Sequence, residues 1–199
     1  AAGSVIIIIL YNTLATYGVL PIAVFGVIHR LLRFTIMPTY GIAQGLQPII
    51  GYNYGAREYR NILKAIKTGI ILATSISFIG FLILISFPES LMKIFTKDVN
   101  LISTGSSSLR LIILALPFVG FQVVGATTFQ AIGKAVPAFL LSSSRQILFL
   151  IPLILILPKF FHLTGVWIAF PIADLLSFIV TFFFLYNQIN KFKLKIRNE

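Results

Sequence analysis

Apolar residues in this chain fall in blocks of about twenty, and no other feature constrains the fold as tightly. A bilayer core of about 30 Å is crossed by about 20 helical residues. Six blocks meet that length or approach it. The first runs from Ala1 to Ala15 and ends at Tyr17-Gly18. The second spans Pro21 to Ile50, with Pro21 suited to a first helical turn. The third spans Ile62 to Phe87 and stops at Pro88. The fourth spans Asn100 to Ile132, where Asp98 or Asn100 caps the start and Gly133 the end. The fifth lies between Pro137 and Pro158, and the sixth runs from Thr164 to Asn187. The stretch from Pro88 to Phe95 reads either as a short interfacial helix with Leu91, Ile94 and Phe95 on one face, or as a solvated loop tucked against the bundle.

Composition agrees with a membrane solvent. Only 11% of residues are charged against 58% apolar, whereas a soluble domain carries about 25% charged residues. So few charges cannot cover a water-facing surface, which excludes a soluble enzyme, a disulfide-rich secreted domain and a disordered tail. The net charge of +11 does not point to nucleic acid, because the cations sit between apolar blocks. Alternate connections put Arg57, Arg60, Lys64, Lys67, Lys134 and the basic stretch 191–199 on one side, expected to be cytoplasmic, while Lys93, Lys97 and Lys159 fall on the other. Residues 1–190 are expected to form the membrane body and 191–199 a basic tail. The first block starts without methionine or a flanking charge, so the expectation is a chain that begins partway through a spanning helix of a longer protein.

The spans are not uniformly apolar. The second contains Met37-Pro38-Thr39-Tyr40-Gly41-Ile42-Ala43-Gln44-Gly45-Leu46-Gln47-Pro48. Pro38 and Pro48 each free a carbonyl one turn earlier, which hydrocarbon tolerates only against protein or water. A bent helix lining a hydrated path, with Tyr40, Gln44 and Gln47 facing it, accounts for both glutamines better than close helix packing alone. Pro38-x-x-Gly41 recurs as Pro117-x-x-Gly120 in the fourth span, followed by Gln122, in the manner of repeat-built transporters.

Charges inside the spans carry more weight, because each costs about 2.5–3.5 kcal/mol at a helix centre on insertion scales. Asp174 is the only acid in a predicted span; Arg30, Arg33, Arg110 and Arg145 are the cations, with His29 beside Arg30. At about 1.5 Å per residue, Asp174, Arg30 and Arg110 reach one layer roughly 13 Å below the outer end. Two readings stand: a structural ion pair between Asp174 and one of the arginines, or a protonatable carboxylate in a hydrated cavity. Enzyme chemistry finds no support. His29 and His162 have no metal-binding spacing, Ser142-Ser143-Ser144 has no partner base nearby, and no phosphate loop appears.

The run from Pro38 to Ala56, with Gln130-Ala131-Ile132-Gly133-Lys134-Ala135 and Gly165-Val166-Trp167-Ile168-Ala169-Phe170-Pro171-Ile172-Ala173-Asp174, resembles the multidrug and toxic compound extrusion (MATE) antiporters. The likeness covers nearly the whole chain, in order, and matches the C-terminal six-helix lobe of a twelve-helix protein. It implies an all-α polytopic membrane fold and export of organic cations in exchange for protons or sodium, by alternating access in the inner membrane. It implies no cofactor beyond the coupling ion. The partners it implies are the bilayer, a small-molecule cation and a second six-helix lobe. Asp174 matches an acid in the last helix of many bacterial members, and Gln44 and Gln47 match a polar helix face. Some sodium-coupled members carry acids in the first and fourth helices of this lobe. Here the first has none and the fourth offers Arg110 and Gln122, which favours protons. The alternatives are a flippase for lipid-linked oligosaccharides, which would suit the Arg30, Arg33 and Arg110 layer, and a nonfunctional membrane remnant.

Overall fold

A computed structural model describes residues 2–197; Ala1 and the end of the tail, Asn198 and Glu199, lie outside the described residues. Among the described residues the chain is all helix and turn, in the order α1 (Ala2–Ala15), α2 (Val19–Gly55), α3 (Tyr59–Ser86), α4 (Pro88–Lys93), α5 (Val99–Ile112), a 3-10 stretch (Ile113–Phe118), α6 (Val119–Ala131), α7 (Ala135–Ser143), a π-helical stretch (Ser144–Leu150), α8 (Ile151–Ile156) and α9 (Pro158–Arg197). Five of the resulting rods are long and apolar enough to cross a membrane: Val19–Gly55, Tyr59–Ser86, Val99–Ala131, Ala135–Ile156 and Pro158–Arg197. The shorter α1 packs with them as the sixth.

Local chemistry sets the breaks. Gly18 takes a φ of 104° between α1 and α2, a conformation that costs glycine little. Asp98 caps α5, its Oδ1 accepting from the backbone N–H of Asn100 at 2.8 Å and of Leu101 at 3.3 Å. Gly133 closes α6 with a φ of 73°, while the N–H of Lys134 donates to Phe129 O at 3.0 Å. α2 stays continuous through Pro38 and Pro48, but Pro117 falls where the fourth rod tightens to 3-10. α9 contains a break at His162 (φ 50°, ψ −138°). It also outruns its apolar block, continuing to Arg197 because Phe192 is buried against the rings of Tyr54 and Tyr59. The 88–95 stretch forms the short helix α4, yet it buries Pro88 and Met92 and leaves Ile94 and Phe95 exposed.

Two apolar cores occupy the two ends of the bundle. One gathers Leu14, Ile28, Leu84, Met92, Leu109, Ile113, Ile154 and Trp167. The other gathers Ile50, Ile62, Ile66, Phe129, Leu141, Leu185 and Phe192. Between them every long rod contributes a buried polar side chain: Thr39, Ser77, Gln122, Ser144, Asp174 and Ser177. The lobe therefore has a polar waist.

Candidate functional site

The waist is held by hydrogen bonds between rods. Thr39 and Ser77 hydroxyls meet at 3.3 Å and Ser144 and Ser177 hydroxyls at 3.4 Å. Gln122 Nε2 donates to the backbone carbonyl of Asp174 at 3.0 Å. At the centre, Asp174 is 3% exposed and pairs with Arg145: Nε faces Oδ1, and an Nη donates to Oδ2 at 3.2 Å. This is the ion pair found among the described residues. The cation beside it balances this desolvated carboxylate, whose Oδ2 accepts an N–H while Oδ1, against Arg145 Nε, has no hydrogen bond of its own.

The choice that the sequence left open among four arginines thus falls on Arg145, from the π-helical stretch. Arg30 is exposed, and Arg110 lines a separate cavity of about 400 Å³ with Glu89 and Lys93. Neither pairs with Asp174, so the expected three-helix layer of charge does not converge on it. Helix rise fixes depth, whereas rotation about the axis decides which neighbour a side chain meets, and these arginines point elsewhere.

A cavity of about 350 Å³ opens beside the pair. Tyr40, Gln44 and Gln47 from α2, Gln122, Thr127 and Gln130 from α6, and Ser142 and Arg145 line it, with Ala43, Val119, Val123, Ala126 and Leu141 between them. The expected polar face of α2 therefore does face a cavity. Asp174 stands behind its wall, reaching it through Arg145 and Gln122. A second cavity of about 350 Å³ shares Tyr40 and Arg145 and adds His29, Arg33 and Gln146 to apolar walls that include Phe25 and Phe170. His29 stacks on Phe25 at 5.6 Å between ring centroids. Among the described residues no three His, Asp or Glu side chains converge as a metal site.

The repeated Pro-x-x-Gly motif does not repeat in structure. Gly41 is exposed with open space around it, while a Cβ at Gly120 would run into the backbone of Ala73 and Thr74. Arg145 is the residue that sequence reading undervalued. Its signal was the unbroken polar run Ser142-Ser143-Ser144-Arg145-Gln146 in the middle of an apolar block.

A membrane bundle with a buried ion pair beside a polar cavity is a transporter-like arrangement, and comparison with known proteins decides the family. The MatE family profile matches residues 2–156. The chain belongs to the MatE family. Multidrug export protein MepA of Staphylococcus haemolyticus (strain JCSC1435) is 25% identical over 178 residues, covering 89% of this chain and 39% of MepA. The MATE multidrug transporter DinF-BH, solved with a bound small molecule, is 46% identical with a TM-score of 0.78, over 85% of this chain and 38% of DinF-BH. A MOP superfamily transporter from Pyrococcus furiosus, whose binding pocket has a reverse polarity that suggests a different function, shares the fold at a TM-score of 0.88 and 23% identity, over 96% of this chain and 44% of its own. This MATE lobe spans about two fifths of the length of the relatives it matches.

Proposed function

We propose that this MATE lobe forms half of a secondary active transporter that exports organic cations in exchange for protons by alternating access. A single lobe supplies one wall of a central path, and alternation needs two bodies moving against each other. The observation that carries the reading is the Asp174–Arg145 pair at the edge of a cavity otherwise lined by neutral polar and apolar groups.

Tyr40, Gln44, Gln47 and Gln122 solvate a cation without binding it irreversibly. While Asp174 is ionised, the Arg145 charge is balanced and the wall is close to neutral. When Asp174 takes up a proton, Arg145, with 28% of its side chain exposed, is left as an unbalanced cation on the cavity wall. At about 7 Å and an effective dielectric of about 20, that repulsion amounts to about 2 kcal/mol, on the order of 30-fold in affinity. One proton taken up thus favours release of one cation, which is antiport. Pro38 and Pro48 supply the freed carbonyls that let α2 bend around the path. The protein resides in the inner membrane with the end bearing Arg57, Lys134 and Lys191 in the cytoplasm, following the cation asymmetry.

The test is efflux of ethidium, a fluorescent organic cation, from vesicles containing the intact protein under an imposed pH gradient. Asp174→Asn keeps an acceptor for Arg145 but cannot exchange a proton at working pH, so pH-driven efflux should vanish. Ethidium binding should weaken by about 30-fold and lose its pH dependence, because Arg145 stays unbalanced. Unchanged efflux in a well-expressed variant would eliminate Asp174 as the carrier. Loss driven instead by collapsing a sodium gradient would reassign the coupling ion.

A second reading, a flippase for lipid-linked oligosaccharides, is favoured by one observation. The second cavity joins Arg33, Arg145 and His29 to apolar walls, which suits an anionic amphiphile. Competition between such an amphiphile and ethidium for transport would separate the readings.

A further inference from the structure

The end of the bundle beyond the second apolar core collects cations from three connections. Arg57 comes from the α2–α3 turn and Arg60 from the first turn of α3, Lys134 from the α6–α7 turn, and Lys191 and Lys195 from the last turns of α9. Gln188, Lys191 and Lys195 follow one another at i, i+3 and i+7, so they share one face of α9. Lys134 Nζ donates to Gln188 Oε1 at 2.6 Å, which ties the α6–α7 turn to that face. Lys195 Nζ donates to the Tyr59 hydroxyl at 3.1 Å and lies 4.9 Å from the centroid of its ring, which ties the same face to the α2–α3 turn. These are neutral acceptors. None of the five cations has a carboxylate partner among the described residues, where the ion pair found is Arg145–Asp174. Glu58 is the acid of the group, and it lines a cavity of about 510 Å³ with Arg57, Tyr59, Arg60 and Ile196. Burial, and then the charges of Lys191 and Lys195, hold the Lys134 ammonium below the ordinary lysine value. Lys134, Lys191 and Lys195 are thus close enough to repel one another, in a region that holds five cations against one carboxylate.

The apolar surface resumes immediately beside them. Val136 and Phe139, on the first turns of α7, are 70% and 66% exposed, and Leu194 projects from α9 between Lys193 and Lys195. A partner that fits must bring negative charge to the cations and hydrocarbon to the flank. Soluble anions offer only the first. Basic pockets at helix ends on the membrane boundary take phospholipid headgroups for this reason.

We infer that this end of the lobe is a binding site for an anionic phospholipid, its phosphate held by Lys134, Lys191 and Lys195 and its acyl chains lying along Val136 and Phe139. The site is separate from both waist cavities and does not depend on what the transporter carries.

The experiment is native mass spectrometry of the intact protein released from nanodiscs containing equal phosphatidylglycerol and phosphatidylcholine. Phosphatidylglycerol should be retained preferentially, and Lys134→Gln/Lys191→Gln/Lys195→Gln should lower that retention about tenfold. Arginine at the same three positions should restore it, which separates lost charge from lost fold. Lys93→Gln/Lys97→Gln, at the opposite end, should change nothing. Equal retention of the two lipids would overturn the site, as would the same loss from the Lys93 and Lys97 changes. Complete displacement by millimolar inorganic phosphate would overturn the lipid assignment, because it would show that the acyl chains contribute nothing.

Discussion

Arg145 and Lys134 are both cations that reach across to α9, yet the protein treats them in opposite ways. Arg145 lies at the waist and is matched by the 3%-exposed carboxylate of Asp174. Lys134 lies at the bundle end and is matched only by the amide of Gln188, with two more lysines nearby. The difference is depth. A carboxylate withdrawn from water between two apolar cores needs a counter-charge beside it, because losing hydration costs several kcal/mol per ion. A cation at the boundary keeps part of its hydration and needs only an acceptor. Charge balance is therefore local in this lobe, strict at the waist and relaxed at the end.

The largest expected effect breaks the strict side. Asp174→Ala should destabilise the protein by about 3 kcal/mol, since it leaves the partly buried Arg145 without its counter-charge. Asp174→Leu combined with Arg145→Met should recover most of that loss. Thermal unfolding of the purified variants in one detergent reads both, and equal losses in the single and double variants would show that the pair does not set the balance.

A middle-sized effect sharpens the waist itself. Gly120 lets α6 approach the backbone of α3 at Ala73, two residues from Gln122. Gly120→Ala should cost about 1–3 kcal/mol by overpacking and should loosen the Gln122 bond to Asp174. Gly41→Ala, at the matching motif in open space, should instead gain about 0.5–1 kcal/mol from helix propensity. The same unfolding assay distinguishes them, and similar outcomes at the two glycines would restore the motif as a structural repeat.

The smallest effect tests the relaxed side. Because the folded state lowers the Lys134 value, its charged form is disfavoured there relative to the unfolded chain. Its contribution is therefore unfavourable below the folded value and is relieved as pH rises through it towards the ordinary lysine range. Lys134 should react with an amine-directed reagent at lower pH than an isolated lysine, and Lys191→Gln/Lys195→Gln should raise that pH. Mass-spectrometric labelling against pH checks it; no change in the double variant would remove the two lysines as a cause.

The spans were legible in the sequence because their signal is composition over length. Gly133 was legible as a cap, and Asp98 as one of two candidates with Asn100, for the same local reason, a side chain or a φ that a helix end demands. The polar face of Tyr40, Gln44 and Gln47 was legible because close helix packing alone does not account for two glutamines in a spanning helix, and these residues line a cavity. The partner of Asp174 was not, since rise per residue gives height and not heading. The break at His162 falls between the fifth and sixth blocks as read, whereas the π-helical stretch and the extension of α9 to Arg197 were hidden. The extension depends on a contact made by the folded bundle, Phe192 against Tyr59, and leaves no trace in hydropathy.

The π-helical stretch Ser144–Leu150 has a consequence for how this rod tolerates length changes. A π turn spends more residues per revolution than an α turn, so it acts as a phase offset between α7 before it and α8 after it. Each residue of an α-helix advances about 100° around the axis. Cutting one residue between Ile147 and Leu150 would let the rod relax to regular α geometry while α7 and α8 keep nearly their present headings, because the offset equals about one α residue. Leu141 and Ile154, each buried in a different apolar core, would still both face inward. The same cut in a plain α stretch such as Ile151–Ile156 would instead swing everything beyond it by about 100°. The surplus residue works as a shim, a length change that this stretch absorbs without turning a buried face outward.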